Sequence, residues 1–343
     1  MRFPWANLAL LVLVVIQLVT GFAGLLGAGD PFRVFFWIHA VGAYAIVAVL
    51  FAKAMIIADV LRRRPGLGSE RLLLLLMIGL LVSVLATGLV WITSGPYVVA
   101  GYSLINIHAF LALALAVLLT MHVLDRRWIV RVPASHDRRA FLRFAGFAVV
   151  GVALWQIERP LQRLLDLPGA RRRFTGSYER GSFSTDFPTV SWLNDDPDPI
   201  DGASWRLAVE GAVGRPLDLR YADLERMARS SRVAVLDCTG GWFAHQRWAG
   251  IPLAVLLDAA GVEDGARSVS VESVTGYCRR FSLEHARELL LATHVAGAPL
   301  AHGHGFPARL VVPDGRGCEW VKWVVRIRVL RSSSLLQSPL PLS

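Results

Sequence analysis

The chain has 343 residues, room for two or three domains, and 54% of them are hydrophobic, too many for one soluble domain and a sign of membrane spans. Its formal net charge of +10 reads as arginine placed beside membrane helices. No basic stripe interleaved with aromatics supports nucleic-acid binding. Three cysteines (Cys238, Cys278 and Cys318) are too few and too scattered for a disulfide framework or a zinc site, and no Cys-x-x-Cys-His occurs for c-type haem.

Leu8 to Leu26 is nearly all apolar after Arg2. It reads as a signal peptide or a first transmembrane helix. The helix is preferred, because further spans come at once and the small-residue cleavage pattern is poor. Three more apolar stretches run from about Val34 to Val60, Leu72 to Ile92 and Leu104 to Leu124, each near the ~20 residues a bilayer core requires. The connections around Arg62–Arg71 and Arg126–Arg143 are rich in arginine, whereas Gly27–Arg33 and Ser94–Ser103 hold one between them. By the positive-inside rule the N-terminus and both basic loops are cytoplasmic, so the second and fourth helices run in the same direction, from outside to inside.

That direction puts His39 and His108 at similar depth, each a few residues in from the outer end of its helix. One haem iron held between two imidazoles fits such a pair. His122 lies 14 residues after His108, on nearly the same face and ~21 Å deeper. The matching position in the second helix is Lys53, so an inner haem at His122 is doubtful. His122 and Lys53 bind a quinone headgroup instead, or merely reach the inner interface. Intramembrane ionisable residues are costly and functional by default. This half looks like a four-helix cytochrome b module, on histidine geometry alone.

Asp137-Arg138-Arg139-Ala140-Phe141-Leu142-Arg143 precedes a glycine-containing apolar segment, Phe144 to Trp155. It resembles the twin-arginine export signal, with Asp137 where serine or threonine is usual and Arg143 where lysine is usual. An ordinary basic loop before a fifth transmembrane helix is the plainer alternative. The export route carries folded domains, so the resemblance implies that the domain beyond Trp155 crosses the membrane with its cofactor already inserted. No Ala-x-Ala comes after the segment, so helix five is expected to stay as an anchor.

Beyond Trp155 the pattern changes. Leu161 to Asp201 is rich in loop residues. Trp205–Glu210, Ser231–Leu236, Ser268–Val271, Leu310–Pro313 and Val321–Val329 read as strands, the last with Trp323, Val325, Ile327 and Val329 on one face. Trp248–Leu253 reads as a turn opening a short helix that Gly261 stops. The expected fold is a membrane α-helical bundle of five transmembrane helices, then a mixed, mostly β α+β domain. The expected boundaries are 1–130 for the four-helix module, 131–158 for the signal and helix five, and 159–176 for a linker. The outer domain comes next at 177–331, with a flexible tail at 332–343.

Four ordered motifs stand in the outer domain: Cys238-Thr-Gly-Gly-Trp242, Trp248-x-Gly250-x-Pro252-Leu253, Gly303-His304-Gly305-Phe306-Pro307-x-Arg309-Leu-Val-Val-Pro313 and Val321-Lys322-Trp323. Together they resemble the sulfite oxidase superfamily of molybdopterin enzymes over roughly Ser177 to Leu330. The resemblance implies that Cys238 binds molybdenum and that His304, Arg309 and Lys322 contact the pterin and its phosphate. A thiolate is a soft donor that suits such a metal, and arginine and lysine suit a phosphate. No role is assigned to Cys278 or Cys318, which pair or stay free.

Substrate arginines of the sulfite oxidases are missing. Ser182–Pro188 holds none, and Phe243 stands where another comes after the cysteine. The chain also stops shortly after the last strand, without an immunoglobulin-like dimerisation domain. It looks more like the bacterial methionine sulfoxide reductases of the superfamily, here fused to its haem partner. The expected function is a molybdopterin (Mo) oxidoreductase in the bacterial cell membrane. It reduces a small-molecule or protein S-oxide, or an N-oxide, on the extracytoplasmic side, with electrons from quinol through haem b. Trp242, Phe243 and His245 are candidate pocket residues, His245 as a proton donor. The alternatives are an oxidase of a small sulfur compound passing electrons inward, and a non-catalytic membrane electron-transfer or sensory protein.

Overall fold

A computed structural model describes residues 4–63, 69–125, 138–191, 195–227 and 230–338. The chain divides into two compact units, one of residues 1–25 and 30–178, the other of residues 26–29 and 179–343.

The first unit is helical: α1 (Pro4–Leu26), α2 (Arg33–Arg63), α3 (Ser69–Ser94), α4 (Leu104–Asp125) and α5 (Arg138–Leu164). A small hairpin, β1 (Val98–Val99) with β2 (Tyr102–Ser103), joins α3 to α4. Val14, Ile46, Leu81 and Leu115, one from each of the first four helices, form a buried cluster. Large apolar side chains such as Val15, Phe51, Leu113 and Leu124 face outward, as a lipid-facing surface requires. Among the described residues, four helices are long and apolar enough to cross a membrane: Ala6–Leu26, Asp30–Ala54, Leu72–Ser94 and Leu104–Leu124.

The expected fifth span is not among them. Although α5 is a continuous helix, only the 14 residues from Phe144 to Ile157 separate Arg143 from Glu158, short of the ~20 a bilayer core needs. The twin-arginine reading falls on residues 137–143, of which Asp137 and the side chains of Arg138 to Phe141 lie outside what the structure describes. The expected linker at 159–176 is in fact packed. Glu158 and Arg172 form a buried ion pair, Gln162 Nε2 donates to the Ile92 carbonyl at 2.9 Å, and Arg172 Nη1 donates to the Gly169 carbonyl at 2.7 Å.

The second unit is built on two sheets. The first runs in the order β11 (Ala298–Pro299), β10 (Leu290–Val295), β7 (Trp242–Pro252) and β3 (Tyr178–Glu179), with β6 (Ser230–Asp237) also on β7 and β12 (Arg309–Val311) also on β10. The second runs β5 (Leu217–Arg220), β4 (Arg206–Gly211), β13 (Val324–Leu330), β8 (Ser268–Ser273) and β9 (Cys278–Ser282). Only the β13–β4 pairing in this second sheet is parallel. Leu207, Val209, Trp248, Ile251, Leu291 and Ile327 are among the core residues. Three short helices complete it: α6 (Tyr221–Arg226), α7 (Leu253–Ala260) and α8 (Leu283–Glu288). Gly261 closes α7 in the left-handed conformation, φ 66°, as the sequence predicts.

Two expectations change here. Trp248–Leu253 is no turn: Trp248 to Pro252 continue β7, paired to β10. Gly250 is required because an added Cβ would run into the Leu291 carbonyl of the neighbouring strand. A glycine demanded by close strand approach looks, in sequence, like one demanded by a turn. The tail is ordered as far as it is described. Gln337 pairs with the edge of β9, accepting from Arg280 N at 2.9 Å and donating to Arg280 O at 2.7 Å.

Candidate functional site

Strands β6 and β7 form a hairpin with Asp237 opposite Phe243. Its tip is held by Cys238 N donating to Trp242 O at 2.9 Å and by Gly241 N donating to Cys238 O at 3.0 Å. Gly241 takes φ 89°, a left-handed turn that glycine enters without cost. Cys238 is thereby presented, buried, in the lining of a cleft.

The turn between β11 and β12 supplies His304, β12 opens with Arg309, and the segment before β13 supplies Lys322. His302–His304 is one 3-10 turn, capped by Gly305 at φ 105°. A Cβ on Gly305 would stand 3.1 Å from Lys322 Cβ and 3.2 Å from Arg309 Cβ. The glycine therefore lets the two cationic side chains leave the backbone side by side. His304 stacks on Phe187, ring centroids 3.8 Å apart, and its Nε2 donates to the Phe187 carbonyl at 2.9 Å. That bond assigns the proton to Nε2 and leaves Nδ1 as an acceptor in the neutral ring. Burial lowers the His304 pKa, with the positive charges of Arg309 and Lys322 adding to it.

Cys238, His304, Arg309 and Lys322 all line this one cleft, together with Trp242, Trp320, Tyr277 and Asp195. His245 does not. In the β6–β7 register it stands opposite Val235, one residue out of phase with Leu236 and Ala244. Side chains alternate across a strand, so His245 and Phe243 occupy the face away from Leu236, which lines the cleft. His245 stacks on Phe183 instead. The expected proton donor is therefore misplaced, by strand parity.

Electrostatically the cleft is built for an anion. Burial pushes Arg309 down to about 10. Burial and then Arg309 bring Lys322 down to about 8. Arg309 Nε, Trp242 Nε1 and Trp320 Nε1 are buried donors with no acceptor among the described residues, and such donors are costly unless a ligand completes them. Burial raises the Cys238 thiol, while the Gly240 N–H at 3.3 Å and the Arg316 guanidinium favour its thiolate. Sulfur, orphaned N–H donors and cations converging in one cleft fit an anionic pterin with a thiolate-bound metal.

Residues that sequence reasoning missed complete the wall. Arg316 Nη1 bonds Asp237 Oδ1 at 2.7 Å, both side chains buried, and Arg316 Nη2 donates to Cys238 O at 3.4 Å. A Cβ on Gly317 would approach Cys238 Cα to 3.2 Å. Cys318 lines the cleft, Cys278 is exposed, and neither joins a disulfide.

Because of Lys322, anion affinity should depend on pH. A phosphate beside Lys322 favours its charged form. Phosphate affinity of the cofactor-free protein is therefore expected to weaken as pH rises through about 8, approaching about tenfold per unit. Calorimetric titration with inorganic phosphate at successive pH values checks this, and Lys322→Met should flatten the profile.

In the helical unit, His39 on α2 and His108 on α4 face one another with ring centroids 6.3 Å apart and planes at 69°. With each metal–imidazole bond at about 2 Å and each ring centre ~1 Å behind its nitrogen, one iron between two rings sets centroids about 6 Å apart. Lys53 Nζ is engaged with Asn7 Oδ1 at 2.7 Å.

Residues 194–336 match the family model of the oxidoreductase molybdopterin binding domain. Mitochondrial sulfite oxidase of Rattus norvegicus is 32% identical over 181 residues, covering 43% of this chain and 33% of its own. The uncharacterized oxidoreductase YuiH of Bacillus subtilis (strain 168) is 29% identical over 153 residues, covering 44% of this chain and 77% of its own. The protein-methionine-sulfoxide reductase catalytic subunit MsrP of Gluconobacter oxydans (strain 621H) is 32% identical over 149 residues, covering 37% of this chain and 47% of its own. This chain thus spans a third of the sulfite oxidase and under half of the sulfoxide reductase subunit.

Proposed function

We propose that this chain, whose residues 194–336 are a molybdopterin-binding oxidoreductase domain of the sulfite oxidase family, is a membrane-anchored reductase of S-oxides or N-oxides. The observation that carries the reading is the cleft itself, where Cys238, His304, Arg309 and Lys322 converge. Bound there, the molybdenum cofactor supplies two-electron oxygen-atom chemistry. Cys238 would be its protein ligand. Arg309 and Lys322 would hold the anionic end, Arg309 as a planar fork and Lys322 as a point charge. His304 Nδ1 would accept from the pterin, and the Trp242 and Trp320 indoles would donate to it.

An organic oxide is favoured as substrate by what walls the cleft. Val190, Leu236, Trp242, Tyr277 and Trp320 line it, and Arg309 is its one arginine among the described residues. Arg316 lies beside Cys238 but is committed to Asp237. A dianion such as sulfite would meet no further guanidinium here. An uncharged S-oxide or N-oxide needs none.

His39 and His108 would hold a b-type haem between α2 and α4, and quinol in the bilayer would be the electron source. On this reading the protein sits in a bacterial cell membrane with its N-terminus cytoplasmic and the molybdopterin domain outside, exported folded by the signal around Arg138 and Arg139.

The test is a substrate screen on the detergent-purified full chain. Reduced protein is mixed anaerobically with methionine sulfoxide, trimethylamine N-oxide or sulfite while the haem band is monitored. Reoxidation by an oxide is expected. No response to any oxide, or reduction of the oxidised protein by sulfite, overturns the reading.

A further inference from the structure

The two helical hairpins of the first unit repeat one another. Leu18-Val19-Thr20-Gly21 on α1 precedes Ile38-His39-Ala40 on α2, and Leu85-Ala86-Thr87-Gly88 on α3 precedes Ile107-His108-Ala109 on α4. The structure turns this echo into equivalent contacts. Thr20 Oγ1 lies 3.1 Å from His39 Nδ1, and Thr87 Oγ1 lies 3.3 Å from His108 Nδ1. A Cβ added to Gly21 or to Gly88 would stand 3.3 Å from Cε1 of the same histidine in each case. Each glycine thus lets its imidazole lie against the neighbouring helix.

Counting protons gives each contact a direction. Thr20 Oγ1 donates to the Ile16 carbonyl at 2.7 Å, and Thr87 Oγ1 to the Ser83 carbonyl at 2.8 Å. These are bonds back to the residue four earlier in the same helix. A hydroxyl carries one proton. Once that proton is committed, the oxygen can only accept, so each imidazole donates from Nδ1. For His108 the Val84 carbonyl, 2.9 Å from Nδ1, requires the same. Both histidines therefore carry hydrogen on Nδ1 and a lone pair on Nε2, the nitrogen left for a metal.

We propose that Thr20 and Thr87 are positioning residues that lock His39 and His108 in the Nε2-ligating tautomer and set their donor strength toward one shared haem iron. The proposal rests on the haem reading above. An acceptor on Nδ1–H makes the imidazole a stronger donor, which favours ferric iron and lowers the potential. The two halves agree here too. His108 also reaches the Val84 carbonyl and His39 a backbone group of Gln17, each three residues before its threonine. With a haem held between them, rings crossing at 69° would give a more anisotropic low-spin ferric signal than parallel rings.

The test is a redox titration of the full chain in detergent, read optically and by electron paramagnetic resonance. Thr20→Val is expected to keep the b-type spectrum, shift the midpoint potential upward and change the g anisotropy. Thr87→Val should shift it in the same direction, and Thr20→Ser, which keeps the hydroxyl, should restore the parent values. Should haem be lost from Thr20→Val but kept by Thr20→Ser, the hydroxyl's role is equally supported. A haem-loaded Thr20→Val with unchanged potential and signal overturns the proposal. A parent protein without a b-type spectrum, or His39→Ala and His108→Ala proteins that keep it, overturns the haem reading instead.

Discussion

Replacing Cys238 by alanine should strip molybdenum from the purified protein and lower turnover by at least about a hundredfold. Losing a residue that merely hydrogen-bonds a metal ligand typically costs about 10–100-fold in metal affinity or activity, and losing the ligand itself should cost no less. The fold should survive. Cys238 sits in a turn whose backbone bonds to Trp242 and Gly241 do not involve the side chain, so alanine loses the sulfur and its contact with the Gly240 N–H but keeps those backbone bonds. Cys278, exposed on β9 and outside the cleft, is the control: Cys278→Ala should keep both metal and activity. Elemental analysis beside a steady-state assay makes the measurement. Full molybdenum content in the Cys238→Ala protein would end the ligand assignment.

The second large effect is on stability. Arg316→Leu leaves the Asp237 carboxylate, with no solvent exposure, without its guanidinium. Removing one partner of a buried ion pair costs about 3–5 kcal/mol. For a domain of this size that is a fall in Tm of roughly 10 °C. The double variant Asp237→Asn/Arg316→Leu should recover much of the loss, because it removes the stranded charge along with its partner. Activity should take a different course. Arg316 also reaches the Cys238 carbonyl, so both variants should lose turnover at temperatures where they remain folded. Thermal melts of the three proteins, paired with assays well below the transition, separate the two roles. If single and double variants melt alike, the pair is not what holds the hairpin tip.

The four residues that the sequence singles out for the cleft do line it together. Cys238, His304, Arg309 and Lys322 lie in short motifs whose residue types answer to a metal, a ring and a phosphate. Gly305 lies among them because Lys322 and Arg309, from two different segments, both pack against it, leaving no room for a Cβ. The pairing of His39 with His108, expected from helix period and loop charge, has its counterpart in rings whose centroids lie 6.3 Å apart. Two other assignments fail on local grounds. His245 stands near Cys238 along the chain, but strand alternation sends it to the other face. Gly250 has the sequence context of a turn glycine, yet it marks a close strand crossing.

The sequence by itself determined the composition of this protein: apolar helices long enough for a bilayer, a domain of alternating strands, and the cofactor motifs in order. These depend on neighbours along the chain, which periodicity and spacing record. Tertiary structure alone decided the partners brought in from far away. Arg316 meets Asp237 across 79 residues, and Trp320 and Tyr277 wall the cleft. Nothing in a local window encodes these meetings. They depend on which strands pair, and pairing is fixed by burial of the whole core.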